Sequence, residues 1–170
     1  MRDMTDQREL APIVSVVGRA KVGKTTFLVQ LIAELTKRGY DVAVIKHTVH
    51  AFDFSQPGKD THKHTKAGAK AVALASAREL VLTRPLDAEL EIDQIAAMLG
   101  KADLVLTEGY KHAHKPKIEI SRRALGTELV SRRQEIIAVV SDYPIDLDVP
   151  RFDLDDASGV ASLIEELFLS

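Results

Sequence analysis

The stretch Gly18-Arg19-Ala20-Lys21-Val22-Gly23-Lys24-Thr25-Thr26 limits what this chain can fold into more than any other segment. It follows the apolar run Ile13-Val14-Ser15-Val16-Val17, which suits a strand buried on both faces. It precedes residues in which Phe27, Leu28, Leu31, Ile32 and Leu35 form one helical stripe, with Lys37, Arg38 and Gly39 as stop signals. Residues 18–25 fit the Walker A pattern G-x-x-x-x-G-K-[ST]. Glycines let such a loop wrap so that its backbone N–H groups converge on phosphate oxygens, and the following helix adds its positive end. Gly18, Arg19, Ala20, Lys21, Val22, Gly23, Lys24, Thr25 and Thr26 are therefore nucleotide-binding candidates. Lys24 is expected to reach the β- and γ-phosphates, and the Thr25 hydroxyl to ligate Mg²⁺.

A second apolar strand, Val42-Ala43-Val44-Ile45, completes a strand–loop–helix–strand unit. From His47 to Gly68 periodicity disappears, and this long polar stretch reads as a functional loop. Ala71 to Leu82 predicts two short strands around Ala77-Arg78, and Asp93 to Leu99 a helix ending at Gly100. Leu104-Val105-Leu106 and Ile136 to Val140 read as buried strands. Lys117 to Arg122 alternates polar and apolar residues after Pro116 and reads as an edge strand. Asp155 or Asp156 can cap a last helix bearing Val160, Leu163, Ile164 and Leu167. The pattern predicts an α/β fold of the P-loop NTPase type, three layers α/β/α, with a mostly parallel central sheet and an added edge strand or hairpin. Residues 12–170 are expected to form one domain behind a flexible leader, 1–11.

Charge and composition narrow the function. Lys and Arg number 23 against 25 Asp and Glu, so no global excess of positive charge points to nucleic acid. Cys is absent, which removes disulfides, thiolate metal sites and thiol catalysis. With no apolar signal or membrane segment, a cytoplasmic protein is expected. Charge is unevenly spread: Lys46–Lys70 and Glu108–Arg123 are basic, while the chain from Asp142 onward is acidic.

A P-loop needs a carboxylate at the end of a neighbouring strand to organise Mg²⁺. Asp103 stands before its strand, whereas Glu108 follows Leu104-Val105-Leu106-Thr107, so Thr25 and Glu108 form the expected metal pair. Lys24, Glu108, Asp53 and Asp60 are the catalytic candidates. Guanine offers two adjacent donors to one carboxylate, and without an N-K-x-D motif the nearest substitute is Ser141-Asp142. The six His, from His47 to His114, lack helical H-x₃-H spacing and read as loop or ligand-contact residues rather than a metal site.

With these residues in view, the chain resembles the MobB family of molybdopterin-guanine dinucleotide biosynthesis adaptor proteins. The resemblance rests on Gly23-Lys24-Thr25-Thr26, Lys46-His47-Thr48 with His50 and Asp53, and Pro57-Gly58-Lys59-Asp60. It continues through Lys66-Ala67-Gly68-Ala69, Thr107-Glu108-Gly109-Tyr110-Lys111 and Pro116-Lys117-Ile118-Glu119. It implies a homodimeric, Mg²⁺- and GTP-binding adaptor, at most a slow GTPase. Its implied partner is the guanylyltransferase MobA, with molybdopterin or molybdenum cofactor as bound ligand and no nucleic acid or membrane partner. Lys46, His47, His50, Lys59, Lys66, Lys111, Lys115 and Lys117 would then face the anionic pterin or the partner. Arg19 occupies the position at which related dimeric ATPases carry a lysine reaching across the dimer. Two other readings stay open: a P-loop ATP-dependent enzyme of the kinase or carboxylate-activating kind, and a metallochaperone GTPase.

Overall fold

The computed structural model describes residues 10–48 and 60–170. They pack as two compact units, a larger one of residues 10–47 with 92–170 and a smaller one of residue 48 with 60–91.

The larger unit is built on six parallel strands: β1 (Ile13–Gly18), β2 (Val42–Lys46), β5 (Leu104–Glu108), β6 (Lys117–Ser121), β7 (Ile136–Ser141) and β8 (Arg151–Phe152), in spatial order β2-β5-β1-β6-β7-β8. Side-chain alternation sorts the core into two layers. Val14 and Val16 of β1, Leu104 and Leu106 of β5 and Ile118 and Ile120 of β6 face one side. There they meet Phe27, Leu28, Leu31 and Leu35 of α1 (Lys24–Lys37) and Val160, Ala161 and Ile164 of α4 (Ala157–Ile164). On the other side Ile13, Ile45 and Val105 pack with Ile92 and Ala96 of α3 (Ile92–Met98). Helices on both faces explain why β1, β2 and β5 are near-continuous apolar runs. Asp156, rather than Asp155, caps α4 by accepting the Gly159 N–H at 2.8 Å.

The strand at 117–121 corrects the sequence expectation. β6 is not an edge: it pairs with β1 on one side and β7 on the other, and all five of its residues are buried. Its polar face is covered by the chain that follows. The Glu119 carboxylate accepts the Val130 N–H and, at 3.0 Å, the Ser131 N–H. The Lys117 ammonium donates to Glu135 at 2.8 Å and to the carbonyls of Ala113 and Lys115. Ser121 and Tyr143 share a hydroxyl–hydroxyl bond of 2.7 Å. The alternation that reads as a solvent face is a face buried beneath a loop, with each polar group partnered.

The smaller unit holds α2 (Asp60–Lys66) and the antiparallel hairpin β3 (Val72–Ala75) and β4 (Leu80–Thr83), where two short strands were expected. α2 lies inside the stretch read as loop. It buries none of its residues, so it carries no apolar stripe to betray it, and an Asp60–Lys63 ion pair of 3.1 Å marks its first turn. In the hairpin turn Ser76 Oγ accepts the N–H groups of Arg78 and Glu79.

Candidate functional site

The phosphate-loop segment leaves β1 at Gly18. A Cβ there would stand 2.3 Å from the Ile120 carbonyl oxygen of β6, so only glycine lets the loop turn this close to its neighbouring strand. Lys21 takes a positive φ of 62°, and Gly23, at φ 106°, is the N-cap of α1. Lys24 thus starts the helix, and its ammonium curls back onto the carbonyls of Gly18 (3.0 Å) and Arg19 (2.8 Å). Burial pushes its pKa below the ordinary lysine value; Glu108 opposes the shift and Lys46 adds to it.

Register brings the remaining charges together. β5 lies between β2 and β1, with Glu108 opposite both Lys46 and Val16. At that position Glu108 accepts a 2.7 Å hydrogen bond from the Thr25 hydroxyl and pairs with the Lys46 ammonium at 3.3 Å, its side chain only 13% exposed. Thr25 and Glu108, expected from sequence as a pair, therefore meet at the mouth of the loop. A hydroxyl and a carboxylate are hard oxygen donors, the kind Mg²⁺ selects when phosphates and water complete its shell. Behind them Gly109 (φ 99°) and Tyr110 (φ 58°) turn the chain, and the Tyr110 ring packs against His47 with centroids 4.7 Å apart.

Other expected residues are placed elsewhere. His50, Asp53 and Lys59 lie outside the described residues. Asp60 and Lys66 belong to the smaller unit, on α2. Lys111 is exposed just past β5. Lys115 is held in a 2.6 Å ion pair with Asp93. Lys117 is fully buried and committed to Glu135 at the amino end of β6, which corrects its assignment as a ligand contact. Ser141 is buried, with its hydroxyl on the Tyr143 carbonyl, and Asp142 accepts the Arg123 N–H at 2.9 Å. Arg19 pairs with Glu128 of its own chain at 3.1 Å.

The sequence reading missed Arg122. Its guanidinium donates to the Val22 carbonyl at 2.8 Å and lies against Gly23, where a Cβ would be 3.4 Å from it. Its signal is positional: it is the first residue after the strand beside β1. Next to it a cavity of about 400 Å³ opens along the first turns of α1. Among the described residues no three His, Asp or Glu side chains gather as a metal-binding group.

Comparison with known proteins follows the same lines. Residues 13–142 match the sequence profile of MobB, molybdopterin guanine dinucleotide synthesis protein B. The chain is 37% identical over 166 residues to the molybdopterin-guanine dinucleotide biosynthesis adapter protein of Escherichia coli (strain K12), covering 94% of each. The Haemophilus influenzae adapter protein is 31% identical over 156 residues, with 91% of this chain and 88% of that one covered. Among solved structures, Bacillus subtilis MobB superposes with a TM-score of 0.74 at 27% identity, covering 92% of this chain and 98% of that one.

Proposed function

The chain belongs to the MobB family, the adapter proteins of molybdopterin guanine dinucleotide biosynthesis, and from this membership we propose that it works by holding Mg²⁺–GTP on the loop 18–25. The observation that carries the proposal is the 2.7 Å contact between Thr25 and Glu108 beside the Lys24 ammonium. On binding, Lys24 exchanges the carbonyls of Gly18 and Arg19 for phosphate oxygens, and the loop N–H groups and the α1 N-terminus supply the rest of the anion site. Thr25 and Glu108 would hold Mg²⁺, which neutralises phosphate charge when bound. Hydrolysis would be slow, because Glu108 is already engaged by Thr25 and Lys46 and has little capacity left to activate water.

The partner we assign is the guanylyltransferase that consumes the guanine nucleotide, and the setting the cytoplasm. Among the described residues no helix is long and apolar enough to cross a membrane. Lys46, His47 and Lys111 stand at the carboxyl ends of β2 and β5, where an anionic pterin or the partner would meet them beside the nucleotide, whereas Lys115 is paired with Asp93 and Lys117 with Glu135. The homodimer is assigned to the hairpin rather than to β6, both of whose edges are occupied. Leu74 and Val81 on one hairpin face and Leu80 and Leu82 on the other are all exposed.

Calorimetric titration with GTP and Mg²⁺ tests the nucleotide proposal. Lys24→Ala is expected to abolish binding. Glu108→Gln is expected to retain GTP but lose most of the Mg²⁺ dependence. Unaltered binding in Lys24→Ala would remove the loop from the function.

A further inference from the structure

The cavity beside α1 has chemistry that phosphate binding does not use. Its walls include Thr26, the residue after the expected Mg²⁺ ligand, and Gln30, one turn further along the same helix. Leu154 and Ile120 give it an apolar floor, while Arg122 and Asp155 give it opposite charges. A nucleotide whose terminal phosphates occupy the loop 18–25 has its nucleoside end nearest Thr26, and a volume of about 400 Å³ accommodates a purine.

Asp155 stands out among its neighbours. Asp153 is paired with Arg151 at 3.0 Å and Asp156 is spent on capping α4. The Asp155 carboxylate is exposed and makes no hydrogen bond or ion pair with another described residue, yet the cap on the next residue fixes its backbone at the cavity wall. Asp142, the sequence candidate for base recognition, is committed to the Arg123 N–H and does not line this cavity.

The geometry points to Asp155 as the residue that selects guanine, its two carboxylate oxygens accepting N1–H and N2–H₂ of the base. Adenine presents a lone pair at N1 beside its amino group, so one carboxylate oxygen would face another acceptor. Arg122, pinned by the Val22 carbonyl, offsets nucleotide charge between the base and the phosphate loop. This assignment rests on the nucleotide reading of the loop.

The test compares GTP, ATP and xanthosine triphosphate, each with Mg²⁺, on the parent protein and on Asp155→Ala, Asp155→Asn and Lys24→Ala. The parent is expected to prefer GTP over ATP. Asp155→Ala is expected to lose GTP affinity by roughly 10- to 100-fold, the loss of hydrogen bonds to a charged acceptor, and to leave ATP unchanged. Asp155→Asn should gain xanthosine triphosphate, because the amide oxygen still accepts N1–H while the amide NH₂ donates to the 2-oxo group. That gain separates base reading from damage to the fold. A GTP preference that survives both Asp155 variants overturns the assignment and leaves the phosphate loop standing. Lys24-dependent binding with no preference between GTP and ATP does the same. Absence of nucleotide binding in the parent, under conditions where it is folded, overturns both.

Discussion

Lys117 shows how a charged residue can be part of a core. Its side chain is 0% exposed, and its ammonium is surrounded by the Glu135 carboxylate and two loop carbonyls. A buried charge that loses its partner costs far more than an exposed pair contributes, so Glu135 matters through Lys117. The Lys117 hydrogen bond is also the main reason that the Glu135 carboxyl lies below the usual glutamate range, with a smaller contribution from His114. A depressed carboxyl pKa in the folded state adds stability that is fully present above the ordinary glutamate value. That contribution is lost as the pH falls through the lowered one. Urea denaturation of the parent should therefore weaken below the ordinary glutamate range. Glu135→Gln should be less stable at neutral pH and show a flatter acid limb. Parallel pH profiles for the two proteins would mean that Lys117 is held by the carbonyls alone.

Among the elements, the hairpin and β6 give opposite lessons about what a pattern of residues can reveal. Val72–Ala75 and Leu80–Thr83 were legible as strands because the turn between them breaks the apolar runs, and both strands form. β6 was misread because alternation reports which residues share a face and says nothing of what covers that face. Glu119 and Lys117 find their partners at residues 130, 131 and 135, in a loop without periodicity of its own. The Thr25–Glu108 contact was legible for the converse reason: a Walker A loop and a strand-end carboxylate are local signals, and parallel register brings them together. Arg122 and Asp155 reach one cavity only through the order of strands, which no spacing along the chain displays. The hairpin itself carries exposed leucines on both faces, and an isolated two-stranded ribbon is marginal in water. Light scattering on the purified protein is expected to report a dimer, and Leu74→Glu with Leu82→Glu to convert it to a monomer that still binds GTP. A dimer that survives both charges would place the interface away from the hairpin.

At the scale of the molecule, among the described residues the two apolar clusters that hold the sheet draw none of their buried members from the smaller unit. Ile45, just before that unit, and Ile92, just after it, belong to the same cluster, so the ends of the excursion are already close within the larger unit. Loop closure costs grow only slowly with length, so replacing the excursion by a short flexible linker should not penalise the sheet. The phosphate loop, Thr25, Glu108, Arg122 and Asp155 all lie in the larger unit, whereas the exposed hairpin leucines lie in the smaller one. A chain with residues 49–91 replaced by a Gly/Ser linker should therefore unfold cooperatively in urea and be monomeric. Mg²⁺–GTP should still stabilise it by the linkage expected of a single site, about 2.7 kcal/mol at a hundred times the dissociation constant. A chain that folds but gains nothing from the nucleotide would show that residues 49–91 supply part of the nucleotide site. A chain that fails to fold would show that the two clusters do not suffice as a core. Retention of both properties would separate the two tasks of the adapter: nucleotide held by the parallel sheet, self-association carried by the inserted hairpin.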